Sequence, residues 1–212
     1  MTQAEIMQKR KEHHQEICKE LANQGYTSED ATVSILKANI LAFVTALPFI
    51  LIFVVLFFLL HSVIDWKAEL LTVFTFPKVI PFLLITFIMG IPVHEFLHGF
   101  GWHFSCQKKW KSIQFGVIWE LFTPYCYCGE AISLGKYYLG LLMPCTVLGI
   151  LTALIGAVFG SVFWLIVGLS NILFAGGDLT IACILFRYLR NKSEKKILDH
   201  PSECGCTAFL KS

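Results

Sequence analysis

The chain has 212 residues, of which 56% are hydrophobic and only 15% are charged. Soluble domains carry about 25% charged residues, so this composition excludes an ordinary soluble domain and indicates an integral membrane protein. The length fits a single domain. The net charge of +2 comes with no basic surface pattern, so we expect no nucleic-acid partner.

The first 38 residues are predicted to form a cytoplasmic helical segment. Residues 3–24 favour a polar helix that stops near Gly25. The sequence Thr-Ser-Glu-Asp at 27–30 predicts the N-cap and first turn of a second helix. The first long apolar run begins only near residue 39, so we expect an anchor rather than a secretory signal.

Four long apolar runs predict transmembrane helices, and they cover residues 39–60, 79–102, 134–155 and 162–187. Between the second and third runs, apolar and polar residues alternate over 112–122, which predicts a short β-ribbon or membrane-dipping loop. Such a ribbon can pair with an extended substrate segment or pack against the membrane. We therefore expect an all-α integral membrane protein whose membrane domain covers residues 39–190, followed by a cytoplasmic tail at 191–212.

The distribution of basic residues predicts the orientation. In the four-span arrangement, fifteen of the 17 Lys and Arg residues lie on the side of the N-terminus, and only Lys67 and Lys78 lie opposite. The positive-inside rule then places both termini in the cytoplasm, and we expect the membrane to be a bacterial cell membrane. The reducing side would hold, as free thiols, Cys18, Cys106, Cys126, Cys128, Cys204 and Cys206.

The second apolar run contains the sequence His-Glu-Phe-Leu-His at 94–98. Residues four apart share one face of a helix, so His94 and His98 can direct two imidazoles at a single metal ion. Glu95 follows the first histidine and can act on a water molecule at that metal. Because two histidines and a glutamate deep in an apolar span need partners, zinc is favoured over a chance match.

A catalytic zinc ion has three protein ligands, and Asp178 in the fourth run is the main candidate for the third. An aspartate inside an apolar helix is costly and marks a functional site. At ~1.5 Å per residue, His94 lies about 12 Å and Asp178 about 14 Å from the inner ends of their helices, so the two can meet. Gly176 and Gly177 would allow the helix backbones to approach closely there.

Other third ligands remain open. His103 lies off the shared helical face by roughly 140°, and Phe104 occupies the position of the last histidine in the metzincin pattern. Loops could bring in Glu130, Cys126, Cys128 or His200. Asn171, two turns before Asp178, can bind a substrate backbone or orient a ligand, although a role in helix packing explains it equally well. Glu130 is a second candidate for substrate binding or ligand support.

The motif at 94–98, combined with Asp178 on a later span, resembles the site-2-protease type of intramembrane zinc metalloprotease. The whole layout more closely resembles the "putative zincin peptidase" family, once grouped only as a domain of unknown function. The matching segments are residues 94–99, 130–133, the span containing Pro144, residues 177–179 and residues 199–201. The resemblance implies that His94, His98 and Asp178 bind zinc and that Glu95 is the catalytic acid and base.

The sequence departs from site-2 proteases around Asp178. Those enzymes carry N-x-x-P-x-x-x-L-D-G, whereas here the spacing from Asn171 to Asp178 is one residue shorter and contains no proline. We expect a zinc-dependent intramembrane or membrane-proximal endopeptidase that hydrolyses a peptide bond with a metal-activated water. Its partners would be the lipid bilayer and a membrane-protein or peptide substrate. A structural zinc protein and a metal-ion or proton transporter are the alternatives.

Overall fold

The computed structural model describes residues 3–61, 66–75, 79–119, 123–190 and 193–211. Lys78 and residues 120–122 of the predicted ribbon lie outside the described residues. The helices are α1 (Gln3–Asn23), α2 (Ile35–Leu60), α3 (Trp66–Thr75), α4 (Val79–His103), α5 (Leu134–Pro144), α6 (Thr152–Phe159), α7 (Val162–Phe174) and α8 (Gly176–Leu189). The strands are β1 (Tyr26–Val33), β2 (Ile113–Ile118), β3 (Thr123–Cys128), β4 (Ile132–Ser133), β5 (Lys195–Asp199) and β6 (Cys204–Lys211).

Three helices are long and apolar enough to cross a membrane, namely Leu36–Leu60, Ile80–His103 and Leu134–Phe159. The third consists of α5, a π-helical segment (Cys145–Leu151) and α6. The first three predicted spans are therefore confirmed as helices of this kind. The pair α7 and α8 passes the same test when taken together, but the two helices are bent by 51° at the break between them.

Glycines let these helices pack closely. A Cβ atom on Gly140 of α5 would collide with the indole ring of Trp102 in α4. A Cβ atom on Gly168 of α7 would collide with the backbone of Ala153 in α6. Gly160 joins α6 to α7 with a φ of 71°, a left-handed conformation that glycine adopts without strain. Small residues at such contacts allow the backbone-to-backbone packing that holds membrane helices together.

A four-stranded antiparallel sheet with the order β1-β6-β5-β4 lies beside the helices. It corrects two predictions: the segment at 27–30 belongs to β1 rather than to a second helix, and the tail supplies β5 and β6. The expected all-α fold is thus a mostly helical fold with a small sheet. The acids that suggested a helix start have other partners, because Glu29 accepts a hydrogen bond from Tyr188 and Asp30 accepts one from Thr207, each at 3.0 Å.

The predicted ribbon is present as the antiparallel hairpin β2–β3, paired from Ile113↔Cys128 to Ile118↔Thr123. One face packs on α4, where Gly99 leaves room for Phe115 and Ile113. The opposite face carries Gln114 and Tyr125, and both contact α1. The hairpin therefore lies between α1 and the helix that carries the histidine motif. All eight cysteines lie in described positions and are free thiols.

Candidate metal centre

Three side chains meet where the second half of α4 faces the first turn of α8. The Nε2 atoms of His94 and His98 lie 3.2 Å apart. The Asp178 carboxylate has Oδ2 at 3.1 Å from His94 Nε2 and Oδ1 at 3.4 Å from His98 Nε2. One atom from each residue falls within 4.8 Å of the others, which is the arrangement of a group that could hold a metal ion.

The donor atoms fit zinc. Tetrahedral ligands at about 2.0–2.1 Å from zinc lie about 3.3 Å from one another, close to the three separations of this group. Two imidazole nitrogens face each other, and at least one of them presents a lone pair. Among the described residues, the buried Asp178 Oδ2 also accepts no well-aligned hydrogen bond, despite its proximity to His94. A bound cation would satisfy all three groups.

A main-chain contact sets the orientation of His98. Its Nδ1 atom lies 3.0 Å from the backbone oxygen of Gly140 in α5. Because a carbonyl oxygen only accepts, Nδ1 carries a proton, so the neutral imidazole has its lone pair on Nε2, facing the group. Trp102 stacks on the His98 ring at 5.4 Å and 16°, and its Nε1 donates to the Tyr137 carbonyl at 3.0 Å. The packing of α4 on α5 thus holds this imidazole from two sides.

The position of Asp178 depends on contacts between α8 and α2. A Cβ atom on Gly176 would collide with the backbone oxygen of Ala42, whereas one on Gly177 would meet no atom within 4 Å. The Thr45 hydroxyl donates to the Gly176 carbonyl at 3.0 Å, which ties the first turn of α8 to α2. Of the two glycines before Asp178, only Gly176 is at a close helix contact.

Two cavities adjoin the group, the larger at all three residues and the smaller at His94. The larger, about 380 Å³, is bordered by α1, β3 and the turn between β5 and β6, and we name it the sheet-side cavity. The smaller, about 250 Å³, lies between α4 and α7, and we name it the span-side cavity. His94 and Glu95 line both cavities. Glu95 borders both cavities together with Thr123 and Pro124 of β3, so it lies beside space in which a substrate can be held.

A family model described as "Putative zincin peptidase" matches residues 87–192, which is half of the chain. The chain belongs to this putative zincin peptidase family. No curated protein and no solved structure matches it. The part matched to the zincin family includes His94, Glu95, His98 and Asp178, whereas α1 and the strands β5 and β6 lie outside it.

The two predicted supporting residues of this zincin family member lie in different places. Asn171 lines the span-side cavity, and its Nδ2 donates to the Val167 carbonyl at 2.8 Å. The lining of the two cavities, over the described residues, does not include Glu130. Glu130 instead accepts hydrogen bonds from the backbone amides of Gln107 at 2.7 Å and Lys108 at 2.9 Å. Its role in substrate binding stays a prediction.

The alternative third ligands lie apart from the group of three. His103 stacks on Trp110 with ring centroids 4.6 Å apart. The Cys128 thiol lies 3.4 Å from that of Cys106, in a buried pair next to the end of α4. Cys126 and His200 line the sheet-side cavity, but among the described residues the group that could hold a metal contains neither.

Two further residues of the sheet-side cavity were not singled out from the sequence. Asp199, at the end of β5, accepts hydrogen bonds from the Tyr137 hydroxyl and the Cys128 amide, each at 2.6 Å. Burial raises the pKa of Asp199 to about 6, although these hydrogen bonds act in the opposite direction. Arg10 of α1 is buried against the hairpin. Asp199 lies in the segment 199–201 that we compared with the family, but the family match ends at residue 192. Arg10 had no signal in the sequence, because it stands between two other basic residues.

Proposed function

We propose that the protein is a zinc-dependent intramembrane endopeptidase. The observation that carries the proposal is the convergence of His94, His98 and Asp178, with donor separations of 3.1–3.4 Å, at the junction of two cavities. Glu95 lines both cavities beside this group, at the place where a catalytic acid and base is needed.

The chemistry divides between the ligand set and Glu95. When held by His94, His98 and Asp178, zinc supplies a lowered water pKa, near 7, and polarises a carbonyl oxygen. The Glu95 carboxylate accepts a proton from the attacking water and delivers it to the nitrogen of the departing amine. The Gly140 carbonyl keeps the His98 proton on Nδ1, so that Nε2 stays available as a ligand.

The two cavities suit a peptide substrate that passes from apolar to polar surroundings. Phe87, Ile91 and Phe174 give the span-side cavity an apolar wall, which suits a membrane-embedded peptide segment. Thr123 and Pro124 of β3 border both cavities. A segment extended along β3, by strand addition, would pass Glu95 as it moves from one cavity to the other.

The membrane arrangement follows from the same proposal. We take α7 and α8 as one broken span, because the pair is apolar enough to cross and its bend places the first turn of α8 opposite α4. Irregular backbone at membrane depth is tolerated where it lines a cavity. With four crossings, the basic residues place both termini and the sheet-side cavity on the cytoplasmic side.

Glu95→Gln tests the proposal, since Glu95 is not among the three convergent residues. We expect the variant, purified without chelator, to retain about one zinc per chain and to lose cleavage. The substrate probe is a detergent extract of membrane proteins from cells lacking this protein, with new N-termini quantified by mass spectrometry. Glu16→Gln, the same change on an exposed side chain of α1, is the control and should leave cleavage intact. Unchanged cleavage in Glu95→Gln would overturn the proposal.

A metal-ion or proton transporter is the second candidate, because a histidine and aspartate group between two cavities also suits an ion path. Zinc uptake into proteoliposomes that depends on Asp178 but not on Glu95 would favour transport. Zinc retention in a wild-type protein that neither cleaves nor transports would favour a structural zinc site.

A further inference from the structure

Arg10 of α1 is a buried cation in the wall of the sheet-side cavity. Arg10 is only 7% exposed, and it lines the cavity that His94 and Glu95 also line. The guanidinium Nε donates to the Gln114 side-chain oxygen at 2.9 Å, and Nη2 donates to the Tyr125 hydroxyl at 3.0 Å. These two hydrogen bonds use two of the five N–H donors of the side chain.

The surroundings of Arg10 stabilise the charge without neutralising it. The guanidinium carbon lies 4.6 Å from the ring centroid of Tyr125 and 4.5 Å from that of Tyr127, which are cation–π distances. Within the described part of the chain, none of the ion pairs closer than 4.0 Å involves Arg10. A buried charge normally has an ionic partner, and among the described residues Arg10 has none at ion-pair distance.

Asp199 does not fill that place. Both carboxylate oxygens of Asp199 accept hydrogen bonds, one from Tyr137 and one from the Cys128 amide. The charge of Arg10 lowers the pKa of Asp199 without a hydrogen bond between the two described side chains. Over the described part of the chain, the three other guanidinium N–H groups have no hydrogen-bond acceptor and can therefore serve a ligand. A planar guanidinium matches a carboxylate, which it binds with two parallel hydrogen bonds.

We propose that Arg10 binds a carboxylate of the peptide substrate, either an acidic side chain or the C-terminal carboxylate, and thereby determines which peptides are cleaved. This inference rests on the proposed function, and it adds the substrate class. The N-terminal helix, which lies outside the family-matched residues, would complete the substrate site.

The shared cavity relates this carboxylate to the bond to be cut. Arg10 donates to the Tyr125 hydroxyl, and Arg10, Tyr125 and Glu95 all line the sheet-side cavity. A substrate held in this cavity would therefore present its carboxylate to Arg10 at a fixed position relative to the bond beside Glu95.

Cleavage of randomised peptide mixtures tests this assignment, with one mixture amidated and one carrying a free C-terminus. We expect wild-type protein to cleave peptides with Asp or Glu at one fixed position on the order of 10- to 100-fold faster than their Asn or Gln counterparts. A preference confined to the free C-terminus identifies the terminal carboxylate instead. Arg10→Gln should remove the preference, and Arg10→Glu should transfer it to Lys or Arg at the same position.

Two controls separate recognition from damage to the fold. Tyr125→Phe removes the hydrogen bond to Nη2 but keeps the ring and the charge, so the acidic preference should persist. A reversed preference in Arg10→Glu cannot arise from unfolding. An unchanged acidic preference in Arg10→Gln, or no charge preference in wild-type protein, would overturn the inference.

A binding measurement distinguishes failure of this inference from failure of the proposed function. Fluorescein-labelled, amidated alanine hexapeptides carrying one Glu or one Gln, and a free-carboxylate alanine hexapeptide, are titrated against zinc-loaded Glu95→Gln protein. The Kd for the best carboxylate peptide should be 10- to 100-fold lower than for its neutral counterpart, and equal to it when Arg10→Gln is added. That result without any wild-type cleavage would overturn the proposed function alone, and cleavage without charge preference would overturn the inference alone.

Discussion

The Nδ1 atom of His98 in α4 lies 3.0 Å from the backbone oxygen of Gly140 in α5. One proposed metal ligand is therefore oriented by the main chain of a neighbouring helix. Main-chain support of this kind requires the two helices to pack at a fixed depth and rotation. A change in the packing of α5 should consequently affect zinc affinity without altering any donor atom.

Gly140→Ala tests this dependence. The added Cβ would collide with the Trp102 indole, which stacks on His98, so α5 must move away and carry its carbonyl with it. Loss of such outer partners lowers metal affinity on the order of 10- to 100-fold. We expect that loss in a zinc titration against a chelating dye. Gly135→Ala in the same helix meets no atom within 4 Å and should keep wild-type affinity. Equal affinity of the two variants would contradict the prediction.

Gly176→Ala and Gly177→Ala form a second matched pair. Alanine at 176 would collide with the Ala42 carbonyl and push the first turn of α8, with Asp178, away from α2. Overpacking of this kind costs about 1–3 kcal/mol, so we expect a lower unfolding temperature and reduced zinc content. A Cβ atom at position 177 meets no atom within 4 Å, so Gly177→Ala should keep the wild-type unfolding temperature and zinc content. The prediction fails if the two variants lose zinc equally.

The pKa of Asp199 predicts a pH dependence of stability. Burial raises this pKa from 3.8 to about 6, so between these values the folded protein holds a proton that the unfolded chain has lost. Stability from the protonated carboxyl is therefore present below about pH 4 and is lost as the pH rises to about 6. At ~1.4 kcal/mol per pKa unit the total is ~3 kcal/mol.

Thermal unfolding of the detergent-solubilised protein from pH 4 to 7 checks this expectation. The Asp199→Asn side chain does not titrate. The unfolding temperature of this variant should therefore rise relative to that of the wild-type protein between pH 4 and 6, and the difference between the two should stay constant above pH 6. Tyr137→Phe removes a donor that favours the ionised carboxylate, and should move the transition to higher pH. A difference between Asp199→Asn and wild type that is constant over the whole range would contradict the assignment.

Periodic and compositional patterns were enough to locate the helices. The runs that became α2 and α4 are long and mostly apolar, so their length and composition identify them. Residues spaced by four along a helix share a face regardless of context, and His94 and His98 lie together for that reason. The depth estimate placed Asp178 at the level of His94, and the structure brings the two within 3.1 Å.

The features that the sequence did not predict depend on contacts between residues far apart in the chain. The segment at 27–30 has the residues of a helix start, but hydrogen bonds to β6, almost the full chain length away, make it a strand. Gly140 supports His98 through a carbonyl that every residue possesses, so no side chain marks it. Arg10 lies between Lys9 and Lys11, and only the docking of α1 on the hairpin distinguishes it from its neighbours.

The strand order β1-β6-β5-β4 bears on how the protein is made. β1 precedes every span, yet its sheet partner β6 follows all of them. During translation β1 therefore remains without its partner strand β6 until the membrane domain between them has been synthesised. The sheet-side cavity is bordered by α1 and by the turn before β6, so it cannot form completely before that turn has been synthesised. Under the proposed function, activity would therefore depend on the pairing of β1 with β6, which joins the two ends of the described chain.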